Sequence, residues 1–184
     1  VINNVPNISD IDDLESILLH LNAKINRENE TVKIDSTSII NKEITRELSK
    51  KLRASYYFMG ALLGKFKKVE MYFPGGCSIG ERPINLHLKG FELLGATVEE
   101  NDDYFLIEAK ELKGNKIYLD FPSVGATINI MLAAVKAKGT TTIENAAKEP
   151  EISNIATFLN NMGAKITGAG TSIIQIEGVN KLHK

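Results

Sequence analysis

At 184 residues, with 43% hydrophobic and 24% charged side chains, the chain can bury one sizeable core, which excludes disordered, fibrous and membrane-spanning classes. A formal net charge of −1 argues against a broad nucleic-acid surface and favours a small anion held in a pocket. A single cysteine and the lack of a charged-then-apolar leader lead us to expect a reducing, cytoplasmic setting without a membrane partner.

The chain opens on a short extended stretch, Ile2 to Val5, with Ser9 as a helix N-cap and Ile11, Leu14, Leu18 and Leu21 at helical spacing. Leu21-Asn22-Ala23-Lys24-Ile25 closes this helix, and Thr31-Val32-Lys33-Ile34 reads as the returning strand of a hairpin. His20 falls among the core leucines of the helix. A second helix type follows: Arg53 to Ala61 is apolar on nearly every side and rich in small residues, as a helix surrounded by protein is.

Residues 74–83, Pro-Gly-Gly-Cys-Ser-Ile-Gly-Glu-Arg-Pro, read as a mobile loop that presents one thiol. Its glycines let the backbone approach a ligand and its prolines stiffen both ends. Arg82, five residues beyond Cys77, favours a thiolate. The bland reading is a surface loop with an incidental cysteine. Next, Leu88, Phe91 and Leu94 share a helical face that ends in Leu94-Gly95-Ala96-Thr97-Val98, with Tyr104 to Ile107 as returning strand. His87 either lines a pocket after the Cys77 loop or faces outward on this helix.

Phe121-Pro122-Ser123-Val124-Gly125 leads into another all-round apolar helix, Gly125 to Ala133, which aligns without gaps on Arg53 to Ala61 at a shift of 72 residues. A third segment opens with Ile143-Glu144-Asn145-Ala146, takes Pro150 near its first helical position, and sets Ile152, Ile155, Leu159 and Met162 on one face. It closes at Met162-Gly163-Ala164-Lys165-Ile166, returns through Ile173 to Ile176, and ends in a basic tail with His183 that is expected to fray.

The closing residues Asn22, Gly95 and Gly163 stand 73 and 68 residues apart, so one grammar recurs about every 70 residues. We therefore expect an α/β fold of three repeated units, about 1–35, 36–110 and 111–184, each with an amphipathic helix, a buried helix and strands. Only two buried helices are visible, so the first unit reads as incomplete, with its missing helix before Val1. The chain is expected to be a fragment. An α+β layer sandwich with coincidental similarity is the alternative.

The 72-residue shift also superposes Arg53 on Gly125, at the start of the two buried helices. Helix N-termini carry unpaired N–H groups and partial positive charge, and Arg53 adds a bidentate fork. Taken singly, Ser123-x-Gly125 is a plain cap and Arg53 a solvated surface residue. Together with the Cys77 loop they favour a site for a phosphorylated ligand. No cluster has metal-ligand spacing and no Walker or Rossmann glycine pattern occurs, so neither metal nor cofactor is expected.

Leu52-Arg53-Ala54-Ser55, the Pro74 to Pro83 loop, Ser123-Val124-Gly125-Ala126-Thr127 and Ile143 to Glu151 closely resemble the bacterial enolpyruvyl transferases of peptidoglycan synthesis. The resemblance runs from end to end, and the Pro-Gly-Gly-Cys loop separates this branch from the shikimate-pathway relative. It implies an inside-out architecture: two domains, each of three α/β units with helices inside and sheets outside, and an active site between them. It also implies a transferase that moves enolpyruvate from phosphoenolpyruvate to the 3-hydroxyl of UDP-N-acetylglucosamine and releases phosphate. By resemblance, Cys77 is the catalytic proton donor, the atom that forms a covalent adduct, and the target of fosfomycin. Arg53 and Arg82 would bind the phosphoenolpyruvate phosphate and the nucleotide sugar. Arg82, Pro83, Ile84, Asn85 and Leu86 would hold the uracil end, and Ser123, Val124 and Gly125 the diphosphate.

The chain departs from the family at Asn85, where many members have Asp, and at Phe121-Pro122, where some place a Lys. The resemblance further implies that a Lys-Asn pair, a catalytic Asp and another phosphoenolpyruvate-binding Arg lie outside this chain. As a Cys-loop domain, it is expected to be inactive without its partner domain. The alternatives are a stand-alone nucleotide-sugar binding module and a thiol redox sensor.

Overall fold

Three residues in the left-handed region, Asn22 (φ 70°), Gly95 (φ 94°) and Gly163 (φ 94°), end three helices in one way. In each, the next residue's N–H reaches back five residues, Ala23 to Leu18, Ala96 to Phe91 and Ala164 to Leu159, at 2.9–3.0 Å. Asn22, Gly95 and Gly163 themselves donate to Leu19, Glu92 and Asn160. These paired bonds form the Schellman closure, which satisfies the last carbonyls and turns the chain toward a strand.

The computed structural model describes residues 1–73, 84–101 and 103–183. In chain order the elements are α1 (Ser9–His20), β1 (Lys24–Glu28), β2 (Thr31–Asp35), α2 (Arg46–Lys51), a 3₁₀ turn (Arg53–Tyr56), α3 (Tyr57–Phe66), β3 (Lys68–Tyr72) and α4 (Asn85–Leu93). Then follow β4 (Thr97–Glu100), β5 (Tyr104–Glu108), β6 (Lys116–Tyr118), α5 (Val124–Ala134), β7 (Thr140–Glu144), α6 (Pro150–Asn161), β8 (Lys165–Thr167) and β9 (Ile173–Glu177).

Two compact units are present. The first holds 1–56, 69–73, 100–101 and 103–106. Here β1 and β2 pair antiparallel from Lys24↔Asp35 to Glu28↔Thr31. Ile17, Leu21, Ile44, Met71 and Phe105 are fully buried. The α1 face is centred on Ile17 and Leu21, with Ile11, Leu14 and Leu18 half-buried beside it. Two local expectations are corrected. Ser9 is the first helical residue and Ile8 the extended cap, with no side chain capping the helix. Ile2 makes only a bridge to Val32: its N–H and carbonyl bond that residue, and the left-handed Asn4 (φ 57°) breaks the ladder before the Val5 N–H donates to Glu30 O at 2.8 Å.

The second unit holds 57–68, 84–99 and 107–183. Its four-stranded sheet has the order β6-β7-β9-β8, with β6 parallel to β7 and the other pairs antiparallel. Helix α5 lies against α3, α4, α6 and β9, and eight of its eleven residues are buried. Such surroundings explain why its sequence shows no polar face. Helix α3 is more one-sided, with Ala61 and Lys65 exposed.

Glycines set how near these helices come. A Cβ on Gly60 would stand 2.9 Å from Asn129 Oδ1 and 3.0 Å from the Asn129 carbonyl carbon, and one on Gly64 would stand 2.9 Å from the Leu132 carbonyl oxygen. Because the contacts advance together along both helices, α3 and α5 run in the same direction. A Cβ on Gly90 would likewise run into the Ile130 side chain, which draws α4 against α5. His183 is not frayed: its N–H donates to Met162 O at 2.8 Å and its ring sits over Gly163, whose missing side chain makes the room.

Candidate functional site

The start of α5 is shaped by its cap. Ser123 is extended (φ −89°, ψ 119°), and its Oγ accepts from Ala126 N at 3.2 Å. Its carbonyl accepts from Thr127 N at 3.0 Å and from Thr127 Oγ1 at 2.7 Å. The same Thr127 hydroxyl accepts the buried Ala147 N–H at 3.1 Å, tying the helix start to the segment after β7. Ser123 is thus a cap, and Ser123, Val124 and Gly125 lie half-buried at the positive end of an eleven-residue helix. A cavity of about 480 Å³ adjoins them, lined by Pro122, Asn145, Ala146, Lys148 and Glu149. Asn145 shapes its wall in the left-handed region (φ 56°), with Nδ2 donating to Leu119 O at 2.8 Å. Lys148 and Phe121 are exposed.

Helix α4 begins at Asn85. Of the three described residues in the expected uracil-binding segment, Ile84 and Leu86 are buried (6% and 3% exposed) and Asn85 is open. Side-chain contact with a ligand is therefore available to Asn85, while Ile84 and Leu86 anchor the turn. One turn on, Lys89 pairs with Asp120 at 2.8 Å, linking α4 to the approach to Ser123. His87 is 5% exposed, and its Nδ1 lies 2.9 Å from Asn129 Nδ2, so the helix-surface alternative for this residue is excluded. Sequence reasoning missed Asn129, whose amide amid the apolar run of α5 was the available signal, and missed Asn145 and Lys148 as cavity residues.

Arg53 belongs to the first unit, whereas Ile84, Asn85, Leu86, Ser123, Val124 and Gly125 belong to the second. It opens a 3₁₀ turn with its guanidinium 5.6 Å over the Tyr56 ring, and α3 starts four residues later. The expectation that Arg53 begins the buried α-helix is corrected on that point. The local reason is Ser55, fully buried with Oγ donating to Ser49 O at 3.2 Å, a bond that holds the tighter turn. Cys77, Arg82 and Pro83 lie outside the described residues.

The largest described cavity, about 850 Å³, is lined by none of these residues. It sits at the C-terminal end of α3 among Lys67, Lys68, Lys110 and Lys113, with Glu108 and Glu111. Burial and the neighbouring Lys136 charge push the Lys67 amine below its ordinary pKa. Its Nζ donates to Gly64 O at 2.6 Å, so this lysine serves the negative end of α3. Among the described residues no group of His, Cys, Asp and Glu could hold a metal ion, and no helix is long and apolar enough to cross a membrane.

Gly-drawn helices beside small sheets, with a capped, half-open α5 start next to a cavity, define a mixed α/β fold. The enolpyruvyl transferase NikO from Streptomyces tendae shares this fold with a TM-score of 0.83 at 22% identity, over 97% of this chain and 43% of that one. An EPSP synthase from Acinetobacter baumannii does so at 0.73 and 20% identity, over 93% and 39%. The chain belongs to the EPSP synthase (3-phosphoshikimate 1-carboxyvinyltransferase) family, whose model matches residues 1–184. It is similar to UDP-N-acetylglucosamine 1-carboxyvinyltransferase 2 of Lactiplantibacillus plantarum, at 59% identity over 98% of this chain and 43% of the relative. The Bacillus subtilis protein of the same name is 53% identical over 99% and 42%. The chain thus spans less than half the length of the curated relatives it matches.

Proposed function

We propose that the protein containing this chain is an enolpyruvyl transferase that acts on phosphoenolpyruvate and UDP-N-acetylglucosamine, and that this chain is its Cys-loop domain. The observation that carries the reading is identity of 53–59% across nearly the whole chain to proteins that bear that transferase name. The half-open start of α5 and the open Asn85 of α4, both in the second unit, support a role in holding an anionic nucleotide sugar.

The chemistry sets what the residues must do. The 3-hydroxyl gives its proton to a base as its oxygen bonds to C2 of phosphoenolpyruvate and C3 gains a proton from the acid; the phosphate then leaves C2 with its bonding pair as C3 gives a proton back. This addition and elimination needs a general acid near C3 and positive charge near the phosphate. We assign the acid to Cys77, the phosphate and nucleotide contacts to Arg53 and Arg82, the uracil end to Pro83, Ile84, Asn85 and Leu86, and the diphosphate to Ser123, Val124 and Gly125. Ile84 and Leu86 act through backbone groups, since their side chains are buried. Nothing in the reaction requires a metal or an organic cofactor.

Phosphate release by the whole protein, with each substrate alone and with both, tests the assignment beside a Cys77→Ala variant. Release is expected only with both substrates and Cys77. Equal release by the variant would remove Cys77 from the chemistry, and turnover by the isolated 184-residue chain would show that no other domain is needed.

A further inference from the structure

Asn129 is completely buried in helix α5, flanked by Ile128, Ile130, Met131 and Leu132, with Thr127 the other buried polar side chain of the helix. A buried primary amide is costly unless its hydrogen-bonding groups are met. Both of its ends are. Oδ1 accepts the Gly60 N–H from α3 at 2.8 Å, and Nδ2 lies 2.9 Å from His87 Nδ1 on α4.

A backbone N–H can only donate, so the atom facing Gly60 must be the amide oxygen. The amide's NH2 therefore faces the imidazole, and an NH2 can only donate. His87 Nδ1 must accept, which leaves Nε2 to carry the ring's proton. A second proton, on Nδ1, would set N–H against N–H. One glycine and one asparagine together select the neutral tautomer of a histidine 42 residues from the asparagine.

We propose that His87 is a positioning residue for the nucleotide-sugar end of the site: Asn129 locks its ring as the neutral Nε2–H form and so fixes the first turn of α4. The proposal rests on the reaction assigned above. His87 is two residues past Asn85, the one open side chain of that turn. Apolar packing, such as Gly90 on Ile130, holds α4 close but is non-directional. The Asn129–His87 bond supplies direction, and with it the angle at which Asn85 and the backbone of Ile84 and Leu86 are offered. His87 touches no reacting atom in this scheme and acts through Asn85.

The test uses the whole protein. At neutral pH, ¹⁵N NMR of the histidine side chains is expected to show His87 Nδ1 unprotonated and Nε2 protonated. A protonated Nδ1 overturns the inference whatever the activity. His87→Leu removes the acceptor, whereas His87→Asn places an amide oxygen near the position of Nδ1. We expect His87→Leu to raise KM for UDP-N-acetylglucosamine about tenfold, with kcat within about threefold, and His87→Asn to restore KM to within about threefold. Variants that leave KM unchanged, or that raise it alike, defeat the positioning role. Failure of the unaltered protein to turn over both substrates defeats the reaction assignment instead, and the KM arm with it.

Discussion

A methyl group added at Gly60 sets two effects of opposite sign against each other. Gly60 is the fourth residue of α3 and is absent from the positive-φ residues, so Ala fits its backbone and gains about 1 kcal/mol of helix propensity. Space says otherwise. The new Cβ would lie 2.9 Å from Asn129 Oδ1 and 3.0 Å from the Asn129 carbonyl carbon, where unstrained contacts need about 3.5 Å. The amide is pinned by His87 and the carbonyl is helix backbone, so neither yields, and α3 must retreat from α5. Overpacking of this kind costs about 1–3 kcal/mol. The retreat also stretches the buried Gly60–Asn129 bond from 2.8 Å, which costs about 1–3 kcal/mol more. The net loss is about 3 kcal/mol after the propensity gain. With a urea dependence of about 2 kcal/mol per molar, the unfolding midpoint falls by about 1.5 M. The chain has no Trp, so far-UV circular dichroism is the suitable probe. A midpoint equal to or above that of the unaltered protein would refute the close-packed helix pair and leave propensity as the ruling effect.

Thr127→Val keeps the shape but strands the buried Ala147 N–H, and should lower unfolding free energy by about 1–3 kcal/mol, with Thr127→Ser recovering part of it. Ser123→Ala removes the α5 cap and should cost about 1 kcal/mol in the same assay. Ser123→Asp keeps the cap yet sets negative charge where we place the diphosphate, so stability should hold within about 0.5 kcal/mol while KM for the nucleotide sugar rises about tenfold. Tyr104 is held protonated, its pKa pushed up to about 12 by burial first and then by the charge and hydrogen bond of Glu70. Its folded pKa exceeds the ordinary 10, so its contribution to stability is whole below pH 10 and fades as pH rises toward 12. Phenolate absorbance should show a late-titrating group that disappears in Tyr104→Phe.

Features governed by neighbouring residues were legible in the sequence. Asn22, Gly95 and Gly163 announced left-handed closures, because few residue types tolerate them, and all three carry the same pair of backbone bonds. Pro150 at the start of α6 and the apolar circumference of α5 were readable for similar reasons. The Arg53 turn was not. Aligning Arg53-Ala54-Ser55 on Gly125-Ala126-Thr127 compares residue types, and misses that Ser55 is bonded to Ser49. His87 was ambiguous for the same cause: its partner is on another helix, and nothing around it in the chain points there. Within the candidate site, the Ser123 cap was foreseen, while the burial of Ile84 and Leu86 depends on tertiary packing that no local pattern encodes.

The Gly60–Asn129–His87 connection also acts on states that must not form. If α5 slid by one position along α3, Ile128 or Ile130 would meet the Gly60 N–H and leave a buried donor without an acceptor, and the Asn129 amide would be trapped against aliphatic groups. Leucine, isoleucine and alanine faces tolerate several registers at similar energy. One amide shared among three helices makes the wrong registers expensive, so it guards the folding of this unit against mispacked competitors.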